Sequence, residues 1–412
     1  MFSLLRNFGV LAFGNGLAQL IYVVGFVFLS RIYDPETFGV FAVALSVGMI
    51  LGTVASLRLE ITILLARTRW QARLATQSSL AVAAGILVIV SLALFVLAHS
   101  LEASWTEYWA AIPAIAASYA LVNIFSFVQT KEKRYAHIVF VQIVRSSSIV
   151  IFAYILNFSD ISTNKLVISS VVSSAAVALL LLVLETQYRS DIFRNLRFIS
   201  AWVSRHREVP LFSSPAVLVS SLANQAPVLL IALLFGQGSA GIFSLVHRLI
   251  NQPVQILSGA VNRMYLQSVS AKRMARQPVL PFSIGLLRIV APIAVVGTAI
   301  VLVAAYFGLF GYFLGDEWQN VDQYVFLLTP VLFTGFLARS IAGFAVLGSN
   351  RIGLAYQVIL LIGVSLALVL SRLLWESVLA AVLALSVTMA IIYASQTLTT
   401  LWITKERDNQ LP

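Results

Sequence analysis

Apolar runs of roughly 18–25 residues, the length an α-helix needs to cross a bilayer, recur along the whole chain with short polar gaps. They lie near 8–29, 38–58, 77–98, 109–129, 137–157 and 166–185, and again near 211–235, 240–261, 281–307, 323–346, 353–371 and 377–402. The pattern predicts an all-α integral membrane protein of about 12 transmembrane helices. A charged stretch from Glu185 to Val209, short of apolar periodicity, separates the two sets of runs. The expected organisation is an N-terminal six-helix bundle over 1–185, a basic cytoplasmic linker over 186–209 and a C-terminal six-helix bundle over 210–412. The first run is too long for a signal peptide and lacks a small-residue cleavage site before Arg31, so it reads as an uncleaved span.

Charge gives these spans a direction. Alternate gaps carry Arg6; Arg67, Arg69 and Arg73; Lys131, Lys133 and Arg134; Arg189, Arg194, Arg197, Arg205 and Arg207; Arg263, Lys272, Arg273 and Arg276; Arg351; and Lys405 and Arg407. The intervening gaps hold Arg31, Lys165 and Arg372. The positive-inside rule then places both termini and the linker in the cytoplasm. Because each half has an even number of spans, both enter the membrane in the same sense, and a repeat between them is parallel, about a pseudo-two-fold axis along the membrane normal. A faint one exists: Phe38-Gly39-Val40-Phe41-Ala42 at the start of span 2 matches Ala240-Gly241-Ile242-Phe243-Ser244 at the start of span 8, and Leu17-Ala18 matches Leu222-Ala223.

Composition narrows the class. Hydrophobic residues make up 60% of the chain and charged residues 10%, far below the roughly 25% charged in soluble domains. The net charge of +11 sits in inter-span gaps rather than on a basic domain, so it reads as topology and attraction to anionic membrane lipids, not nucleic acid. With no cysteine and only His99, His137, His206 and His247, thiol chemistry and metal ligation are not expected. Nor is there a phosphate-binding loop or a nucleophile elbow; no cofactor and no enzymatic activity are expected.

Polar residues within spans are costly unless they line a wet cavity or pair between helices. In span 8, Ser244, His247, Arg248, Asn251, Gln255, Ser258 and Asn262 share one helical face. Span 7 offers Asn224 and Gln225 with serine neighbours, span 1 Asn15, Gln19 and Tyr22, and span 4 Tyr119, Asn123 and Ser126. The serine pairs Ser169/Ser173 and Ser170/Ser174 read as small-residue packing. The intramembrane charges are Arg58, Arg145, Arg248, Arg288 and Arg339 against Glu60 alone. Arg248 lies seven residues past Gly241, roughly 10 Å along the helix, too deep for simple snorkelling. Arg58, Arg288 and Arg339 are closer to span ends and within reach of headgroups. An arginine-lined cavity suits an anionic group such as phosphate or pyrophosphate, which guanidinium binds as a fork. The candidate substrate-binding set is Arg248, Arg145, Asn251, Gln255, Asn224, Gln225, Gln19, Arg58 and Arg339; Glu60 is a candidate for a salt bridge or an ion-coupling site. His247 reads as a polar neighbour.

The stretches SRIYDPETFGVF (30–41), SLRLEITILLA (56–66), QAPVLLIALLFGQGSAGIFSLVHRLINQPVQILSGAV (225–261) and GDEWQNVDQYVFLLTP (315–330) resemble the polysaccharide-biosynthesis branch of the multidrug/oligosaccharidyl-lipid/polysaccharide exporter superfamily, the lipid-linked oligosaccharide (O-antigen) flippases. The resemblance implies two six-helix bundles around a V-shaped cavity and transfer of undecaprenyl pyrophosphate-linked sugar units across the bacterial inner membrane by alternating access. It also implies that Pro35 and Gly39 shape an outer turn and that Pro253 kinks span 8. Expected partners are the lipid-linked oligosaccharide, membrane lipids and polysaccharide polymerase or assembly proteins, with the flippase itself a monomer. Two alternatives stand beside this reading: a cation-coupled small-molecule or drug antiporter of the same superfamily, which would call for more intramembrane carboxylates than Glu60, and a membrane O-antigen polymerase or ligase, which would call for a larger outer loop.

Overall fold

A computed structural model describes residues 2–100, 110–160, 164–185 and 196–410, with side chains over 14–97, 110–160, 164–185 and 198–410. The side chains of Arg6, His99, Arg189, Arg194 and Arg197 lie outside the described residues. Among the described residues all regular structure is helical: α1 (Phe2–Ser30), α2 (Pro35–Val54), α3 (Ile61–Leu65), α4 (Arg69–Ser100), α5 (Ala111–Lys131), α6 (Tyr135–Asn157), α7 (Lys165–Leu184), α8 (Leu196–Arg205), α9 (Ser214–Phe235, entered by a π-helical turn Val209–Ser213), α10 (Gln237–Met274), α11 (Leu280–Tyr306), α12 (Leu309–Leu314), α13 (Val321–Ser340), α14 (Asn350–Trp375) and α15 (Val378–Asn409).

Ten of these helices are long and apolar enough to cross a membrane. The remaining two expected spans are α1, apolar over Gly14–Ser30, and α10. At 38 residues α10 is about 57 Å long, longer than a bilayer core, and its polar face lowers its mean hydropathy.

The chain packs into two units. One comprises 1–33 and 40–225, the other 34–39 and 226–412. The division falls inside α9, so packing partitions the chain differently from span order. In the first unit α5 is the hub, touching α3, α4, α6 and α7; Ile115, Ala116, Ile124, Phe125 and Val128 are buried along it. α1 lies along α6: a Cβ at Gly14 would fall 2.3 Å from Val139, and one at Gly25 2.3 Å from Val150. Eleven residues separate both the glycines and the valines, so the helices run in the same sense, held close by missing side chains. Ser148 and Ser173 bond at 2.6 Å between α6 and α7, while Ser169 and Ser170 are buried, which gives span-6 serines the expected packing role.

In the second unit α13 is the hub, touching α10, α11, α12 and α15. The packing pairs correspond: α4 with α5, α5 with α7 and α6 with α7 in the first unit have counterparts in α11 with α13, α13 with α15 and α14 with α15. These three packing pairs are shared by the two units.

Three expectations are corrected. The second run does not continue as helix to 58; α2 ends at Val54, and the chain passes through turns from Ala55 to Glu60, with Leu57 and Arg58 left-handed at φ 49° and 61°. Gly39 sits inside α2 rather than in a turn. Its place is fixed by close approach: a Cβ there would lie 1.9 Å from the Gln237 carbonyl oxygen, so only hydrogen fits. Pro35 opens the helix at its first position, where a missing N–H costs nothing, and Asp34 caps it by accepting from the Thr37 N–H at 2.8 Å. Finally, the segment expected to lack periodicity contains α8, which packs on α4. Ile199 is buried, and Trp202, three residues on, donates from Nε1 to Thr62 Oγ1 at 3.1 Å.

Candidate functional site

Each unit builds its own polar cluster around an arginine on a tyrosine. In the first unit, Tyr119 and Asn123 stand one turn apart on α5 and so share a face. The Arg145 guanidinium of α6 sits 3.7 Å from the centroid of the Tyr119 ring, a cation–π contact that holds the charge while leaving its N–H groups at the plane's edge. Room for Tyr119 comes from Gly52 of α2, where a Cβ would fall 2.6 Å from the tyrosine Cβ.

One turn along α5, Asn123 Nδ2 donates to Glu60 Oε1 at 3.3 Å. Glu60 has no exposed surface and receives two more donors, Arg58 Nη1 at 3.2 Å and Ser56 Oγ at 2.5 Å. The break after α2 explains how this is possible. Two left-handed residues reverse the local chain so that Ser56, Arg58 and Glu60 converge; left-handed geometry at a residue with a side chain costs roughly 1–2 kcal/mol, offset by charge-assisted bonds to a buried carboxylate. Arg58, expected to reach headgroups, is instead committed to Glu60. At the end of α5, Lys131 Nζ donates to the carbonyls of Ile63 and Ala66, closing the C-terminal end of α3.

In the second unit, Arg339 of α13 donates from Nη1 to Asn251 Oδ1 of α10 at 3.1 Å, and its guanidinium lies 5.6 Å from the ring centroid of Tyr393 on α15. Gly335, one turn earlier, leaves room: a Cβ there would be 3.5 Å from the Tyr393 ring and 3.9 Å from the guanidinium carbon. His247, one turn before Asn251, stacks on Phe243 with centroids 5.5 Å apart and lies within electrostatic reach of both Arg339 and Arg248. The structure thus brings Arg339 of α13 to the stretch of α10 that carries His247, Arg248 and Asn251.

The other candidates take no part in the bonds of these clusters. Asn224 is exposed and turned back on the Ser220 carbonyl at 2.7 Å; Gln225 donates to the Met49 sulfur at 3.6 Å; Gln255 and Arg288 are exposed. Gln19 has its side-chain carbonyl oxygen buried without a hydrogen-bond donor. Tyr119 and Tyr393, which hold the two arginines, lie outside the sequence-derived candidate set. In the sequence Tyr119 is one member of a polar row, and nothing there pairs Tyr393 with Arg339.

Two stretches that carry the family resemblance meet in the second unit, where Phe38 and Trp318, both 1% exposed, pack edge to face at 5.0 Å.

Comparison with known proteins agrees with this architecture. Residues 4–265 match the family described as polysaccharide biosynthesis protein. Curated protein sequences give no significant match. Among solved structures, the chain is similar to the lipid II flippase MurJ in an inward closed conformation, with a TM-score of 0.72 at 11% identity over 97% of this chain and 90% of that one. It is also similar to an inward-facing multidrug resistance MATE family transporter of the MOP superfamily, with a TM-score of 0.62 at 16% identity over 97% and 96%. A MOP superfamily transporter from Pyrococcus furiosus Vc1 (DSM3638) gives 0.54 at 15% identity over 98% and 96%. At such identities the likeness is one of fold. With the match covering well over half its length, the chain belongs to the polysaccharide biosynthesis protein family, as a multi-pass α-helical membrane protein with the fold of MOP-superfamily transporters.

Proposed function

We propose that the protein is a flippase for an anionic lipid-linked oligosaccharide, a polyprenyl pyrophosphate-linked repeat unit, carried by alternating access from the cytoplasmic to the periplasmic leaflet of a bacterial inner membrane. The observation that carries this reading is the charge imbalance inside the spans. Glu60 is neutralised by Arg58 within its own cluster, whereas Arg145 and Arg339 have no carboxylate partner among the described ion pairs. Such cationic groups in a membrane demand an anion, and a pyrophosphate presents oxygens at the spacing of a guanidinium fork. Arg145 and Arg339 are preorganised on tyrosine rings, which lowers the ordering cost of gripping a headgroup. The unpaired Gln19 acceptor suits a sugar hydroxyl. The saturation of Glu60 weighs against the drug-antiporter reading, which needs a carboxylate free to exchange a cation.

The test is genetic and chemical. Deletion is expected to accumulate a completed lipid-linked repeat unit on the cytoplasmic leaflet. Arg145→Ala and Arg248→Ala are each expected to abolish surface polysaccharide more severely than the lysine replacements, with insertion intact. Periplasmic accumulation would indicate polymerisation or ligation instead.

A further inference from the structure

A second charged surface in the first unit has no place in transport of a headgroup through the spans. α4 begins with a capping box: the Gln71 N–H is bonded by Thr68 Oγ1 at 3.2 Å, while Gln71 Oε1 accepts from the Arg67 N–H at 2.9 Å and from the Thr68 N–H at 3.4 Å. This fixes the first turn, from which Arg67, Arg69 and Arg73 are exposed to the surroundings. Trp70 is 51% exposed in the same turn and meets Phe198 of α8, 53% exposed, edge to face at 5.6 Å.

α8 is anchored from its other side. Ile199 is buried, Trp202 reaches Thr62, and the His206 ring lies tilted against Trp202 with centroids 4.3 Å apart. Arg205 and Arg207 are exposed beyond it, and Leu211 and Phe212 follow at 63% and 75% exposure. The described acid in this stretch is Glu208. A short amphipathic helix joined to a fixed helix start therefore presents exposed aromatic rings together with five arginines.

We propose that α8 and the first turn of α4 form a lipid-binding foot that engages anionic phospholipid at the membrane surface. Trp70, Phe198 and Phe212 enter the headgroup layer, and Arg67, Arg69, Arg73, Arg205 and Arg207 hold headgroup phosphates. Three observations fix the occupant as a lipid surface. The surface belongs to a chain whose neighbouring helices are membrane spans, tryptophan and phenylalanine on a basic amphipathic helix bury at the headgroup boundary, and the arginine excess is complementary to anionic lipid. Each arginine near such a surface strengthens attachment about fivefold, and salt screens the attraction.

The experiment titrates the full chain in neutral detergent with fluorescent phosphatidylglycerol, and with phosphatidylcholine as reference. Phosphatidylglycerol is expected to bind more tightly, with the preference falling in high salt. Combined Arg67→Gln, Arg69→Gln and Arg73→Gln should weaken its binding on the order of a hundredfold. An equal loss of charge elsewhere, through Arg276→Gln, Arg351→Gln and Lys405→Gln, should weaken it clearly less. Equal affinity for the two lipids, or equal weakening by both triple variants, would overturn the assignment. Wild-type protein in vesicles gives a separate arm: fluorescence lost in Trp70→Phe should be quenched more by brominated phosphatidylglycerol than by brominated phosphatidylcholine. Equal quenching would count against the foot even if the arginine variants failed to fold.

Discussion

Gly39 and Gly241 make the same contact in both directions. A Cβ on Gly39 would lie 1.9 Å from the Gln237 carbonyl oxygen, and one on Gly241 would lie 1.8 Å from the Pro35 carbonyl oxygen. The 202 positions between Gly39 and Gly241 are also those between Pro35 and Gln237, so the faint repeat seen at Phe38–Ala42 and Ala240–Ser244 has the register of a reciprocal packing contact. Because the obstructing atoms are backbone, no side chain can move aside. Gly39→Ala and Gly241→Ala are each expected to destabilise by about 1–3 kcal/mol through overpacking, read as a lowered unfolding midpoint of detergent-purified protein. Gly85→Ala, with nothing within 4 Å of the added Cβ, should leave the midpoint unchanged or slightly raised.

Glu60 separates a structural bridge from a proton carrier. Glu60→Ala strands Arg58 and Asn123 and is expected to cost about 3–5 kcal/mol. Glu60→Gln keeps an acceptor for both and should fold better and retain polysaccharide export. A well-folded but inactive Gln variant would assign the carboxylate a proton to carry.

The Arg339–Asn251 bond is expected to be felt in transport more than in folding. Asn251→Ala removes the acceptor that aims the guanidinium, a loss of about 1.5–3 kcal/mol for a bond to a charged group. Export measured in vesicles should fall tenfold or more at limiting substrate, with little change at saturation if aim alone is lost. An unchanged export rate at limiting substrate would remove Arg339 from headgroup binding.

At the start of α11, Asp408 accepts from the Val279 N–H at 2.9 and 2.8 Å and from the Leu280 N–H at 2.7 Å. It acts as an N-cap supplied from α15, with its charge favourable at the positive end of the helix dipole. Asp408→Ala should lower stability by about 1–2 kcal/mol, with Asp408→Asn recovering part of it, as measured by thermal unfolding in detergent.

The spans were legible because hydrocarbon imposes a length and an apolar composition that few other structures share. The break at Ala55–Glu60 was not, since Leu57 and Arg58 have no intrinsic preference for left-handed backbone and the carboxylate that rewards it sits two residues later. α8 was hidden by its polar average, although Ile199, Trp202 and His206 carry a helical spacing. Asn224 and Gln255 shared polar rows with buried partners, but a row does not state which of its members are buried; the structure leaves these two exposed. The arginines were visible as costly residues, whereas Tyr119 and Tyr393, which orient two of them, became visible only through packing.

The side-by-side packing of α1 and α6 also sets a schedule for biogenesis. Tyr135, the first residue of α6, is 105 residues beyond Ser30, the last of α1. At 5–20 residues per second that is roughly 5–20 s of synthesis. During this interval α1 stands in lipid with Asn15 and Gln19 on its flank and Gly14 and Gly25 leaving an open seam. An insertase or chaperone that shelters a newly made helix would act here, before the valines of α6 arrive to fill the seam.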